Sequence, residues 1–142
     1  MIYLLDVNVL IALIDPAHAF ADAAHHWFAE RGQSGWASCP LTQNGAVRIF
    51  GNPSYPGGPG TPADAADLVG GLCGRPEHVF WPDEISLFTA PQLRLSALTS
   101  IKQVTDTYLL ALAVARGGKL LTFDRKLSPA AVAGGVEALV VI

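Results

Sequence analysis

"YLLDVNVLIALID", Tyr3–Asp15, sets a carboxylate and an amide inside a run whose other members mostly avoid water. Met1 to Leu5 is short, apolar and stopped by a polar residue, the pattern of a parallel strand buried on both faces. Val9 to Ile14 stays apolar until the turn signal Asp15-Pro16. The run therefore predicts a strand, a polar turn at Asp6 to Asn8, and a short helix. Asp6 stands at the strand's carboxyl end with neighbours that should be buried on both sides. Asn8 reads as the cap of a helix that begins at Val9.

Outward from this stretch, strands and helices keep alternating. Ala19 to Arg31 predicts a helix with Phe20, Ala24, Trp27 and Phe28 on one face, ended by Gly32. Trp36 to Cys39 predicts a strand and Thr42 to Phe50 a helix capped by Thr42. The Gly- and Pro-rich "GNPSYPGGPGTP", Gly51–Pro62, is a surface loop. Ala63 to Cys73 reads as helix, His78 to Trp81 as strand and Ala90 to Leu98 as helix. The last third is clearest: a helix from Asp106 to Arg116, capped by Thr105 or its neighbour, carries the stripe Tyr108, Leu109, Leu112 and Ala113. Gly117-Gly118 ends it, a strand from Lys119 to Phe123 stops at Asp124, and Val136 to Ile142 forms a last strand. Such alternation predicts an α/β fold whose parallel sheet is covered on both faces.

A chain of 142 residues is expected to form one domain, 1–142, with a core large enough to need no disulfide or structural metal. Hydrophobic residues make up 51% and charged residues 15%, which excludes a disordered chain. No apolar run reaches the length of a membrane span, and the N-terminal run lacks the basic start of a signal peptide. Cys39 and Cys73 form no spaced motif, so a reducing, intracellular setting is expected. The net charge of -3 gives no global attraction to nucleic acid. Arg116, Lys119, Arg125 and Lys126 do gather near the C-terminal end, either as a solvated helix end and loop or as a basic rim around an acidic site.

Three acids lie at element ends. Asp6 and Asp124 each follow a strand, and Asp106 opens a helix. In open parallel sheets, ligands bind in the crevice beyond the carboxyl ends of the strands. Singly, Asp124 is an ordinary turn residue and Asp106 an ordinary complement to a helix dipole. If the three converge, like charges raise one another's pKa, and a divalent cation relieves the repulsion. Oxygen donors suit Mg²⁺ or Mn²⁺, an ion fitted to phosphodiester hydrolysis.

"LLDVNVLIAL" (Leu4–Leu13) and "VTDTYLLALAVARGGKLLTFD" (Val104–Asp124), with the order of acids between them, resemble PIN-domain ribonucleases, in particular VapC-type toxins. "CPLTQNGAVRIF" (Cys39–Phe50) and "FWPDEISL" (Phe80–Leu87) look like features of one VapC subgroup. The resemblance implies a PIN-like three-layer α/β/α sandwich with a mainly parallel sheet. It implies a cytoplasmic Mg²⁺- or Mn²⁺-dependent endoribonuclease acting as the toxin of a type II toxin–antitoxin pair. An RNA substrate, a VapB-type antitoxin and a homodimer come with it. Asp6, Asp106 and Asp124 match the family's catalytic and metal-binding acids, and Thr105 and Thr122 sit where small polar residues support the cluster. Many family members also carry a Glu on the helix after the second strand. An ungapped reading puts Gly45 there, with Asn44 beside it as a neutral donor or a cap residue, and Arg48 as a phosphate contact or a plain surface residue.

Two other readings follow from the same residues. Without that Glu, the chain is a binding protein for RNA or antitoxin with a weakened site. Alternatively, Asp6 belongs to an Asp-based phosphotransfer domain. Against the latter, Asp6 has no acidic neighbour, and Asn8 stands where such a phosphatase needs a second Asp. Adjacent His25 and His26 cannot share a helix face and do not read as a metal pair. Trp27, Trp36 and Trp81 read as core or interface, and Asp83 and Glu84 as turn residues.

Overall fold

A computed structural model describes residues 1–142. Strands β1 (Tyr3–Leu5), β2 (Trp36–Ser38), β3 (His78–Phe80), β4 (Lys119–Thr122) and β5 (Leu139–Val141) form one sheet in the order β3-β2-β1-β4-β5. Every neighbouring pair is parallel. Parallel neighbours need crossovers, and helices supply them. Helices α1 (Val7–Ile14) and α2 (Ala21–Arg31) join β1 to β2, and α3 (Pro40–Phe50) and α4 (Pro62–Cys73) join β2 to β3. Helix α5 (Val104–Ala115) precedes β4, and the single turn α6 (Gly135–Ala138) precedes β5.

Side chains alternate across the sheet, and both faces are buried. Tyr3, Leu5, Trp36 and Leu121 pack with α1 to α4 in one cluster. Leu4, Ala37 and Leu120 pack with α5 and α6 in another. The three-layer α/β/α arrangement expected from the alternating elements is therefore the observed one. Trp27, Trp36 and Trp81 all lie in these cores. No helix is long and apolar enough to cross a membrane.

Three local expectations are corrected. Helix α1 begins at Val7, and its cap is Asp6, whose Oδ1 accepts from the Val7 N–H at 2.8 Å; Asn8 lies exposed in the first turn. No α-helix forms over Ala90 to Leu98, where the one regular piece is a 3₁₀ turn at Leu95–Ala97. Backbone groups there pair with a distant segment instead: Arg94 N–H donates to Ala131 O, Ala133 N–H donates to Gln92 O, and Leu93 bridges Val132. Before the last strand, Gly134 takes a left-handed φ of 78° and Gly135 to Ala138 coil into α6, so β5 starts only at Leu139.

The Gly/Pro loop after α3 is pinned by one contact. Tyr55 donates its hydroxyl to Asp15 Oδ2 at 2.6 Å, and its ring packs edge-on against Phe50. Asp15 is 6% exposed and also accepts from Ala17 N–H. Burial and the adjoining carboxylate push the Tyr55 phenol up to about 12. Because Tyr55→Phe strips a buried carboxylate of a donor, it is expected to lower the unfolding free energy by roughly 1–3 kcal/mol. Urea denaturation of the two proteins measures this, and coincident curves would show that the loop is not held this way.

Candidate active site

The sheet order reverses direction between β1 and β4, and the crevice beyond their carboxyl ends is the switch point of the fold. Asp6 directly follows β1 and Asp124 lies just past β4. The first turn of α5 brings Asp106 to the same place.

Asp6 is fixed at both carboxylate oxygens. Oδ1 caps α1, and Oδ2 accepts the Thr122 hydroxyl at 2.7 Å. Its backbone N–H donates to Leu121 O, which continues the β1–β4 ladder by one residue. The fully buried Thr122 Oγ1 also accepts from the Asp124 N–H at 3.1 Å, so one hydroxyl joins both strand-end acids. Asp124 Oδ1 in turn accepts from the Lys126 N–H at 2.8 Å.

Charge coupling shows that the acids converge. Burial raises the Asp6 pKa, its two hydrogen bonds oppose the rise, and Asp124 adds to it. Burial, then Asp6, then Asp124 push Asp106 up to about 6. None of the three belongs to an ion pair. A carboxylate cluster without an internal cation has the charge and the hard oxygen donors that suit a divalent ion. It is not a finished cage, since no three His, Cys, Asp or Glu side chains close around a common point.

The supporting residues divide. Thr122 is in the cluster. Thr105 is exposed inside α5, while Thr107, buried at 1% exposure, lines the crevice instead. Asn44 lies in the groove between α3 and α4. Arg48 is in the last turn of α3, in a shallow cleft with Asn52 and Tyr55. Position 45 does face the site: a Cβ on Gly45 would meet Val7 Cγ2 at 2.7 Å, beside the Asp6 cap. The space for a fourth acidic side chain is thus taken up by Val7.

The expected basic group also splits. Arg116 pairs with Glu84, and Lys119 opens β4 at the opposite end of the sheet. Lys126 lies at the crevice and is joined by Lys102, which sequence spacing did not single out. Together with Asp106, Thr107, Asp124 and Ser128 they line a cleft of about 300 Å³. His25 and His26 are both exposed on α2.

The PIN domain family matches residues 3–133. The chain belongs to the PIN-domain family, on its VapC branch. Ribonuclease VapC44 of Mycobacterium tuberculosis is 44% identical over 134 residues, 94% of each chain. Ribonuclease VapC39 of the same organism is 42% identical over 139 residues, 98% of this chain and 100% of that one. Two solved structures share the fold. M. tuberculosis VapC20, described as a sarcin-ricin loop cleaving toxin, has a TM-score of 0.67 at 12% identity, covering 92% of this chain and 96% of that one. VapBC2 from Rickettsia felis, bound to a promoter DNA fragment, has a TM-score of 0.65 at 15% identity, covering 89% and 90%. In this PIN domain Asp106 and Asp124 line one cleft with Thr107, and Asp6 is tied to Asp124 through the Thr122 hydroxyl.

The raised Asp106 pKa has a signed consequence for stability. Folded Asp106 holds its proton up to about 6, whereas the unfolded group releases it near 3.8. The folded state therefore binds more protons in this window, and stability from this group is lost as pH rises through it. In chelator, the melting temperature of Asp106→Asn is expected to gain on that of the unmodified protein between pH of about 4 and about 7. A difference that stays flat with pH would mean that neither burial nor the neighbouring acids raise the Asp106 pKa.

Proposed function

We propose that this PIN domain is a divalent-metal-dependent endoribonuclease and the toxin of a type II toxin–antitoxin pair. The observation that carries the reading is the set of three carboxylates at the β1/β4 switch point, with Asp6 tied to Asp124 through the Thr122 hydroxyl, Asp106 sharing a cleft with Asp124, and none in an ion pair. The names of its VapC relatives supply the substrate class.

Asp6, Asp106 and Asp124 would hold Mg²⁺, or Mn²⁺ in its place, and act as the catalytic residues. When bound, the ion supplies Lewis-acid stabilisation of phosphoryl charge and eases deprotonation of the attacking water. The chain's own contribution is placement. Cap and Thr122 hydrogen bonds hold both Asp6 oxygens, and the Asp124 backbone is tied to the same hydroxyl. Without the ion, burial and the neighbouring acids push Asp106 up to about 6; a bound cation would favour its carboxylate form. RNA is the substrate, a VapB-type antitoxin is the inhibitory partner, and the active protein is a cytoplasmic homodimer.

A second reading keeps RNA or antitoxin binding but not cleavage, because Gly45 and Val7 leave no fourth acid. Purified protein is expected to cleave structured RNA with Mg²⁺ or Mn²⁺ and not in chelator. Asp6→Ala should lower kcat/KM at least about 100-fold, the scale lost with one transition-state-stabilising group. Cleavage that survives the substitution or the chelator would refute the site. Growth arrest that persists on expression of Asp124→Ala would favour the binding-only reading.

A further inference from the structure

We infer that Lys102 and Lys126 together form a seat for a backbone phosphate of the RNA strand, in the cleft that they line with Asp106 and Asp124. The inference takes its ligand from the ribonuclease reading above.

Both lysines line the same cleft as Asp106 and Asp124, from different segments of the chain. Lys102 comes from a 3₁₀ turn before α5 and Lys126 from the loop after β4. Lysines beside unneutralised acids would ordinarily pair with them. The chain's ion pairs are His26–Glu30, Arg75–Glu77 and Arg116–Glu84, and neither lysine takes part in one. Their charge is left for something else in the cleft.

Each lysine is also fastened through its backbone to a residue of that cleft. The Lys102 N–H donates to Ser100 Oγ at 3.3 Å, in a turn closed by Gln103 Oε1 on the Thr99 and Ser100 N–H groups. The Lys126 N–H donates to Asp124 Oδ1 at 2.8 Å. Both side chains start from anchored backbone and are exposed. Ser128, half-buried, lines the same cleft and offers a neutral hydroxyl. Two cations and a hydroxyl beside carboxylates suit a phosphodiester next to the one that is to be cut. Such contacts position the strand and carry no base preference.

The test measures RNA binding apart from cleavage. Fluorescence anisotropy of a labelled single-stranded RNA is followed across a salt series, with Ca²⁺ present to occupy the carboxylates. Lys102→Gln and Lys126→Gln are each expected to weaken binding roughly fivefold, equally for unrelated sequences, and to reduce the slope of log Kd against log salt by about 0.7. Lys102→Arg and Lys126→Arg should restore both quantities, which a merely structural role would not predict. Lys119→Gln, at the other end of the sheet, should change neither. Slopes that match the unmodified protein in both Gln variants overturn the seat. If Mg²⁺-dependent cleavage that is lost in Asp6→Ala persists alongside such slopes, the ribonuclease reading stands and only the seat falls. Reduced slopes in a protein that cleaves nothing support the seat and sink the ribonuclease reading.

Discussion

One hydroxyl holds the site together. Thr122 is the last residue of β4, fully buried, and its Oγ1 donates to Asp6 while accepting from the Asp124 backbone. Without it, only the Val7 N–H would be left to offset the burial that raises the Asp6 pKa. The β1–β4 pairing that brings Thr122 to Asp6 runs through Tyr3, Leu4 and Leu5 against Lys119, Leu120 and Leu121. All three β1 residues and two of their partners are buried. The hydrophobic register of two central strands thus sets the position of a polar contact. A slip of one residue would turn each strand's core side chains to the wrong face and part the acids as well.

Repulsion among the acids is the counterpart of that order. Asp6 and Asp106 both have raised pKa values, with burial as the largest cause; Asp124 adds to the rise at Asp6, and Asp6 and then Asp124 add to it at Asp106. Burial strengthens any charge interaction in the crevice, repulsive among bare carboxylates and attractive toward a cation. The packing that makes three neighbouring carboxylates costly therefore also makes the crevice selective for a positive partner.

Much of this was legible in the sequence because it rests on local contrast. Asp6 stands out as a carboxylate between two apolar runs, and Asp124 as a stop after "KLLTF". Elements decided by distant partners were not legible. Ala90 to Leu98 carries helical spacing, yet its backbone pairs with Ala131 to Ala133. Asn8 directly precedes the apolar run from Val9 and so reads as the cap of α1, whereas the helix starts two residues earlier and Asp6 is both cap and strand-end acid. Thr105 and Thr107 differ by two places on α5, and only the helix's start at Val104 decides which of them turns inward. Lys102 has no local signal. It belongs to the crevice only because the turn at Ile101–Gln103 folds over the first turn of α5.

The missing fourth acid is better explained by packing than by decay. At position 45 a side chain would collide with Val7, whose own backbone N–H is the donor that Asp6 Oδ1 needs. Val7 is half-buried and packs against the core that holds α1 on the sheet. Glycine at 45 lets α3 approach α1 closely, and the β-branched Val7, stiff within a helix, fills the gap. A side chain at position 45 would need Val7 to shift, and Val7 supplies the N–H that caps Asp6. Gly45 and Val7 therefore act as a matched pair: one gives up its side chain so that the other can pack between α1 and α3 beside the Asp6 cap.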